Sequence, residues 1–262
     1  MKLPFAQIDA FADRPFTGNP AAVVELTEWL PDATLLAIAA ENNLAETAFL
    51  LPERGGAVPL RWFTPGVEVE LCGHATLASG HHLLSRAPDR ASVRFSTGRA
   101  GELTVSRGTS GYRLSLPIWT PEPRPLPELV RALGVEDVEA TLWHRADYAV
   151  VVVSGEAAVR AVDPDLRAIA AMGPLAAIVT APGDRTDVVS RVFVPGAGVD
   201  EDPVTGSAHA VLTPYWCERL GRDRFTAHQA SARGGDLGCE RAGDRAVLTG
   251  NAVTVIEGWL TI

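Results

Sequence analysis

The sequence predicts an α+β protein built from two copies of one unit, and three observations carry that prediction. The segment LLAIAAENNLAETAFLLP (35–52) resembles LRAIAAMGPLAAIVTAP (166–182), with Ile38 matching Ile169 and Leu44 matching Leu175 at an offset of 131. Farther on, FTPGVEVELCGHA (63–75) resembles FVPGAGVDEDPVTGSAHA (193–210) at an offset of 130, and a three-residue insertion in the second copy then sets Gly73-His74-Ala75 against Gly206-Ser207-Ala208. Finally, RAGEL (99–103) matches RGGDL (233–237). Three matches in the same order point to internal duplication.

Each copy reads as helix, strand, strand, helix and then several strands. In the first copy Asp32 is placed to cap a helix whose apolar positions Leu35, Leu36, Ile38 and Ala39 follow helical spacing, and Asn42-Asn43 suits its end. ETAFLLP follows as a strand, PLRWFTP (59–65) as a strand bounded by Pro and Gly, and VEVEL alternates. HATLASGHHLLSRA is helical until Pro88 stops it. SVRFST, GELTVSR and GYRLSLP are short strands separated by glycine-containing turns. The Pro-rich stretch PIWTPEPRPLPE (117–128) reads as the connection between the copies.

Composition narrows the function classes. At 262 residues the chain is long enough for two domains, and 47% hydrophobic content supplies two cores. The net charge of -9 opposes nucleic-acid binding, which needs clustered Lys and Arg. Apolar runs such as YAVVVV (148–153) fall far short of a membrane span, and MKLPFAQIDAF carries no export pattern, so a cytoplasmic protein is expected. Three separated cysteines, Cys72, Cys217 and Cys239, read as reduced thiols. His74, His81 and His82 lie nearly on one helical face, but no Cys or His pair has structural-metal spacing, so no metal is expected. No nucleotide loop is present, and the only lysine is Lys2, so no organic cofactor is expected.

The chemistry concentrates where each copy opens a helix, at Gly73-His74-Ala75 and Gly206-Ser207-Ala208. Helix starts carry unsatisfied N–H groups and a partial positive charge, which makes each a potential anion site, and glycine lets a ligand approach the backbone. Two such units packed about a pseudo-twofold axis would hold a small carboxylate from both sides.

The motifs DAFADRPFTGNPAAVV, NNLAETAFLLP, RWFTPGVEVELCGHATLASG, DEDPVTGSAHAVLTPYW and QASARGGDL together resemble the phenazine-biosynthesis F-type isomerase family, relatives of diaminopimelate epimerase. The resemblance runs from Asp9 to the C-terminal strand. It implies a diaminopimelate epimerase-like fold of two pseudo-symmetric domains, residues 1–118 and 119–262, each a β-barrel-like sheet around a central helix, with the last strand able to pack back on the first domain. It further implies an active site between the domains, cofactor-free proton transfer on a small unsaturated carboxylate, and a homodimer. The family's best-known reaction isomerises trans-2,3-dihydro-3-hydroxyanthranilate.

Residue by residue, Glu46 matches the family's acid/base glutamate in ETAF. Read alone, a carboxylate opening the apolar segment TAFLL is either a solvated strand end or a buried group shifted toward neutrality. Gly73 and His74 match the substrate site, and Gly206 with Ser207 suits carboxylate binding. Asp202 either meets a substrate ammonium or hydroxyl or caps the turn DPVTGS. Ser207 lacks a Gly-x-Ser-x-Gly elbow, which argues against a hydrolase nucleophile. His209 reads as a packed helix residue, and His81, His82, His144 and His228 join no constellation. Gly18-Asn19-Pro20 matches a family motif and reads chiefly as a turn. The related epimerases oppose two cysteines, whereas here Cys72 has no counterpart beside DPVTGS and reads as a buried thiol.

At the offset of 131, Glu46 falls opposite Ala177, so only one half supplies the carboxylate. One base favours moving a proton between two carbons on one face over inverting one carbon. The alternatives are an amino- or hydroxy-acid racemase, which needs opposed bases, and a non-catalytic ligand-binding protein on the same fold.

Overall fold

Strands with one or both faces buried make up the first unit, because their Val, Ala and Phe runs suit a pleated, packed surface. The computed structural model describes residues 1–262. It resolves into two units, Met1–Leu116 with Thr249–Ile262, and Pro117–Leu248.

The first unit contains β1 (Lys2–Ala10), β2 (Asn19–Glu25), α1 (Asp32–Asn42), β3 (Glu46–Leu50), β4 (Val58–Phe63), β5 (Glu68–Val69), α2 (Gly73–Ser85), β6 (Ser92–Thr97), β7 (Glu102–Arg107) and β8 (Tyr112–Pro117). β1 and β2 run antiparallel, β2 and β3 parallel, β3 and β4 antiparallel, β4 and β6 parallel, and β6 to β8 antiparallel. Leu3, Val24, Leu35, Ile38, Phe49 and Phe63 form a core cluster beneath α1.

The second unit contains β9 (Glu122–Pro123), α3 (Pro127–Leu133), β10 (Val138–His144), β11 (Tyr148–Val153), α4 (Glu156–Arg160), α5 (Leu166–Ala170), β12 (Ala176–Pro182), β13 (Val188–Phe193), α6 (Gly206–Leu220), β14 (Arg224–Gln229), β15 (Gly235–Ala242) and β16 (Arg245–Gly250). It repeats the same sequence of pairings: β10 antiparallel to β11, β11 parallel to β12, β12 antiparallel to β13, β13 parallel to β14, and β14 antiparallel to β15. β17 (Ala252–Thr261) returns to the first unit and pairs antiparallel with β1. No helix is long and apolar enough to cross a membrane.

A central helix organises each unit. α2 packs against β1, β2, β3, β6, β7 and β17, and its residues are buried nearly all the way round. A helix buried on every side cannot rely on an amphipathic stripe; it depends on close steric fit. Gly80 provides that fit where α2 meets Val105 of β7: a Cβ there would lie 2.4 Å from Val105 Cγ1.

α6 plays the same part in the second unit and carries Pro214 in its interior. Proline lacks the N–H that would bond the carbonyl four residues back. That carbonyl, on Ala210, instead accepts from the backbone N–H of Trp119 at 3.4 Å.

Three details differ from the reading of the sequence. Asp32 is the first residue of α1 and not its cap; Pro31 precedes the helix, and the Asp32 carboxylate accepts from Arg61 Nη2 at 2.9 Å. Asn43 does close α1 in the left-handed conformation, at φ 49°. The Pro-rich stretch carries structure of its own, since Glu122 pairs with Trp143 and Pro127 opens α3.

The third difference concerns the repeat. Thr47 pairs with Phe63 in the first unit, and Ala177 pairs with Phe193 in the second. Phe63 and Phe193 are the matched residues of the two copies, so Thr47 corresponds to Ala177 and Glu46 to Ala176. The parallel pairs agree, with Ala21 beside Glu46 and Tyr148 beside Ala176. The offset of 130 therefore already holds at Glu46, where the sequence comparison still used 131. The conclusion drawn from Ala177 holds equally for Ala176: the second copy has no carboxylate at this position.

Replacing Gly80 with Ala should destabilise the protein by about 1–3 kcal/mol, although Ala is the better helix former, because the added methyl overpacks against Val105. Equilibrium urea unfolding measures this; an unchanged or raised midpoint would mean that α2 and β7 separate freely.

Candidate active site

The first unit gathers its chemistry at the start of α2. Cys72 precedes the helix in extended conformation, Gly73 opens it, and His74 is its second residue. Both His74 and Cys72 are almost fully buried. Glu46 stands at the first position of β3, where the strand leaves its turn, and retains 17% side-chain exposure. Its Oε2 lies 3.2 Å from His74 Nε2.

Asn19 completes the arrangement. Gly18, at φ +65° with no room for a side chain beside the Ala10 carbonyl, makes the turn that the sequence suggests. Asn19 then begins β2, and its side chain is completely buried. Its amide nitrogen lies 3.1 Å from His74 Nδ1. An amide nitrogen only donates, so Nδ1 is the acceptor, and the proton of a neutral imidazole sits on Nε2, toward Glu46. The Cys72 thiol lies 3.5 Å from the same Nδ1. Chemically, this is a carboxylate with partial access to solvent whose partner's tautomer is set from behind, as proton-transfer catalysis needs.

Sequence reasoning named Glu46, Gly73 and His74, which the fold brings together, and missed Asn19. Its family motif was visible, but the contact to His74 spans 55 residues.

In the second unit Asp202, Gly206 and Ser207 lie around the start of α6. Thr205, the residue before the helix, donates its hydroxyl to the Asp202 carboxylate in a short hydrogen bond. Gln229 braces the same turn: its Oε1 accepts from the Thr205 N–H at 2.8 Å, and its Nε2 donates to the Asp202 carbonyl at 2.6 Å. Asp202 thus fastens its own turn. Ser207 takes the place of His74, and its Oγ accepts from the Tyr148 hydroxyl at 2.7 Å. Because that bond occupies a lone pair, the Ser207 proton remains available to a ligand.

Tyr148 is a second residue the sequence reading missed. Trp119 packs edge-on against it and stacks on His144 at 5.3 Å, so the tryptophan that serves the Pro214-orphaned carbonyl also walls Tyr148.

The remaining histidines are held structurally. His81 lies between Tyr112 and Thr254, and burial pushes its pKa down. His82 meets Glu25 at 2.8 Å, and His228 meets Asp236 at 2.7 Å. His209 is fully buried, donates from Nδ1 to the Thr205 carbonyl at 2.8 Å, and has no hydrogen-bond partner at Nε2.

Residues 8–258 match the phenazine biosynthesis-like (PhzC–PhzF) family. The chain belongs to that family. Among its relatives is a protein of Pseudomonas aeruginosa named an uncharacterized isomerase, 47% identical, with the match covering 99% of each chain. A crystal structure of a PhzF-family protein from Enterococcus faecalis is 41% identical, covers 100% of both chains and superposes with a TM-score of 0.91. A hydroxyproline epimerase from Agrobacterium vitis shares only 11% identity over 99% of this chain and 92% of its own, with a TM-score of 0.59, and so shares the fold alone. The fold of the family member described here is α+β and diaminopimelate epimerase-like.

Burial lowers the pKa of His209 from 6.5 to about 4. The unfolded chain therefore takes up this proton as pH falls below 6.5, while the folded chain resists it. The associated stability is fully present above pH 6.5 and is lost as pH falls toward 4. Between pH 7.5 and 5 the loss attributable to His209 should be about 2 kcal/mol, from ~1.4 kcal/mol per pKa unit. Urea unfolding of wild type and His209→Gln at both pH values isolates it. Identical pH dependence in the two proteins would contradict the assignment.

Proposed function

We propose that this protein is a cofactor-independent isomerase that moves a proton within a small unsaturated carboxylate, with Glu46 as the single acid/base group. The observation that carries this reading is the asymmetry of two otherwise matching units. Glu46 contacts His74 in one, and Ala176 stands at the corresponding position in the other.

In the proposed reaction the Glu46 carboxylate takes a proton from a carbon of the substrate. The electron pair delocalises through the unsaturated system toward the substrate carboxylate, and protonated Glu46 returns the proton to a second carbon on the same face. The group ends as it began, and nothing is oxidised or reduced. His74, with its proton on Nε2, steadies Glu46 in its charged form. In the second unit, Ser207 and the N–H groups opening α6 are suited to holding a carboxylate, and Asp202 to meeting an ammonium or hydroxyl while it fastens its own turn. Lys2, the only lysine, is exposed at the start of β1, so no amine near Glu46 is available for a Schiff base. The isomerase name of the Pseudomonas aeruginosa relative supports the same reaction class.

Turnover in deuterated water tests the proposal, first with trans-2,3-dihydro-3-hydroxyanthranilate and then with amino acids. The expected product is a positional isomer with deuterium at the newly protonated carbon. Glu46→Gln should leave folding and ligand affinity largely intact while lowering turnover by at least about 100-fold. Inversion of an amino-acid α-carbon, or near-normal turnover by the Gln variant, would overturn it.

A further inference from the structure

Glu46, Cys72 and His74 each offer one ligand atom, an oxygen, a sulfur and a nitrogen, and these three atoms lie within 4.8 Å of one another. From these atoms we infer that the pocket at the start of α2 is a binding site for a thiophilic divalent cation, Zn2+ or Cd2+, whose occupancy blocks the acid/base pair.

The geometry starts close to what such an ion requires. Zinc bonds of about 2.3 Å to sulfur and 2.0–2.1 Å to nitrogen, at a tetrahedral angle, set the two ligand atoms roughly 3.5 Å apart. Cys72 Sγ and His74 Nδ1 are separated by 3.5 Å. The Glu46 carboxylate, the most exposed of the three side chains, lies 3.2 Å from the other ring nitrogen, Nε2, and has to turn toward Nδ1 to supply the third bond. Three protein ligands leave the fourth position to water, the pattern of open zinc sites as opposed to closed structural ones.

The donor set also selects the ion. A thiol and an imidazole favour Zn2+ and Cd2+ over Mg2+ and Ca2+, which prefer oxygen cages. On binding, the Cys72 thiol gives its proton to solvent, the Asn19 amide yields Nδ1 to the ion, and the Glu46 oxygen lone pair is taken up. The groups that would carry the proton are then all committed to the metal. Spacing in the sequence conceals the set, because positions 46, 72 and 74 come from a strand and a helix start that only the fold brings together.

Binding is measured directly, without turnover. Metal-free protein is titrated with Zn2+ in competition with a chromogenic chelator, and separately with Cd2+ while the ultraviolet thiolate-to-cadmium charge-transfer band is followed. One ion per chain is expected. Cys72→Ser should weaken binding at least 10-fold and abolish the cadmium band, whereas Cys217→Ser should leave both unchanged. If wild type takes up no stoichiometric Zn2+, the inference fails without recourse to any variant. It fails equally if a folded Cys72→Ser protein, checked by circular dichroism, binds like wild type, or if the cadmium band follows Cys217.

Discussion

The structure depends on the clamping of His74 between Asn19 and Glu46 at the start of a largely buried helix. An imidazole at 3% exposure beside an amide at 0% must have its polar atoms matched, because an unmatched buried donor or acceptor costs about 1–3 kcal/mol. Asn19 meets that demand on one ring nitrogen, which directs the other toward Glu46. The start of β2, the start of β3 and the start of α2 are therefore constrained together. The glycine turn at Gly18 and the close fit at Gly80 serve the same end by fixing β2 and α2 in place.

The duplicated framework sets this clamp in one unit against a different set of residues at the corresponding points of the other. The pairing pattern and the central helix are common to both, so the residues that differ stand at corresponding points. His74 is replaced by Ser207 and Glu46 by Ala176, and a tyrosine, Tyr148, occupies the strand position beside Ala176. The second helix start thus keeps its N–H groups and a hydroxyl but loses the carboxylate. A framework in which both units carried a base would suit inversion at one carbon, whereas a carboxylate in one unit alone is the asymmetry on which the proposed single-base reaction rests.

Much of this was legible in the sequence, because helical and strand periods follow the buried faces of α1, β4, β6, β7 and β8, and glycine marks the start of α2 and α6. What escaped were contacts that depend on distance in space. Asn19 reads as a turn residue until β2 is laid beside β3. Tyr148 reads as the first residue of an apolar strand until its hydroxyl meets Ser207. The proline inside α6 looks disruptive until Trp119 is seen to serve the carbonyl it leaves open. The one-residue error in matching Glu46 arose because only strand register fixes the offset there. Asp202, read two ways, sits in a turn where Thr205 and Gln229 hold it, which local sequence could not distinguish from a free side chain.

The central claim, that Asn19 sets the tautomer of His74 and thereby leaves the ring proton on Nε2, the nitrogen 3.2 Å from Glu46, is tested most directly by nitrogen NMR of the protein with isotopically labelled histidine side chains at neutral pH. The account predicts that His74 carries its proton on Nε2 with an unprotonated Nδ1, and that Asn19→Leu removes this preference while the His209 signals, with the proton on Nδ1, stay unchanged. A His74 protonated on Nδ1 in the wild-type protein, or a tautomer indifferent to the loss of Asn19, would contradict it.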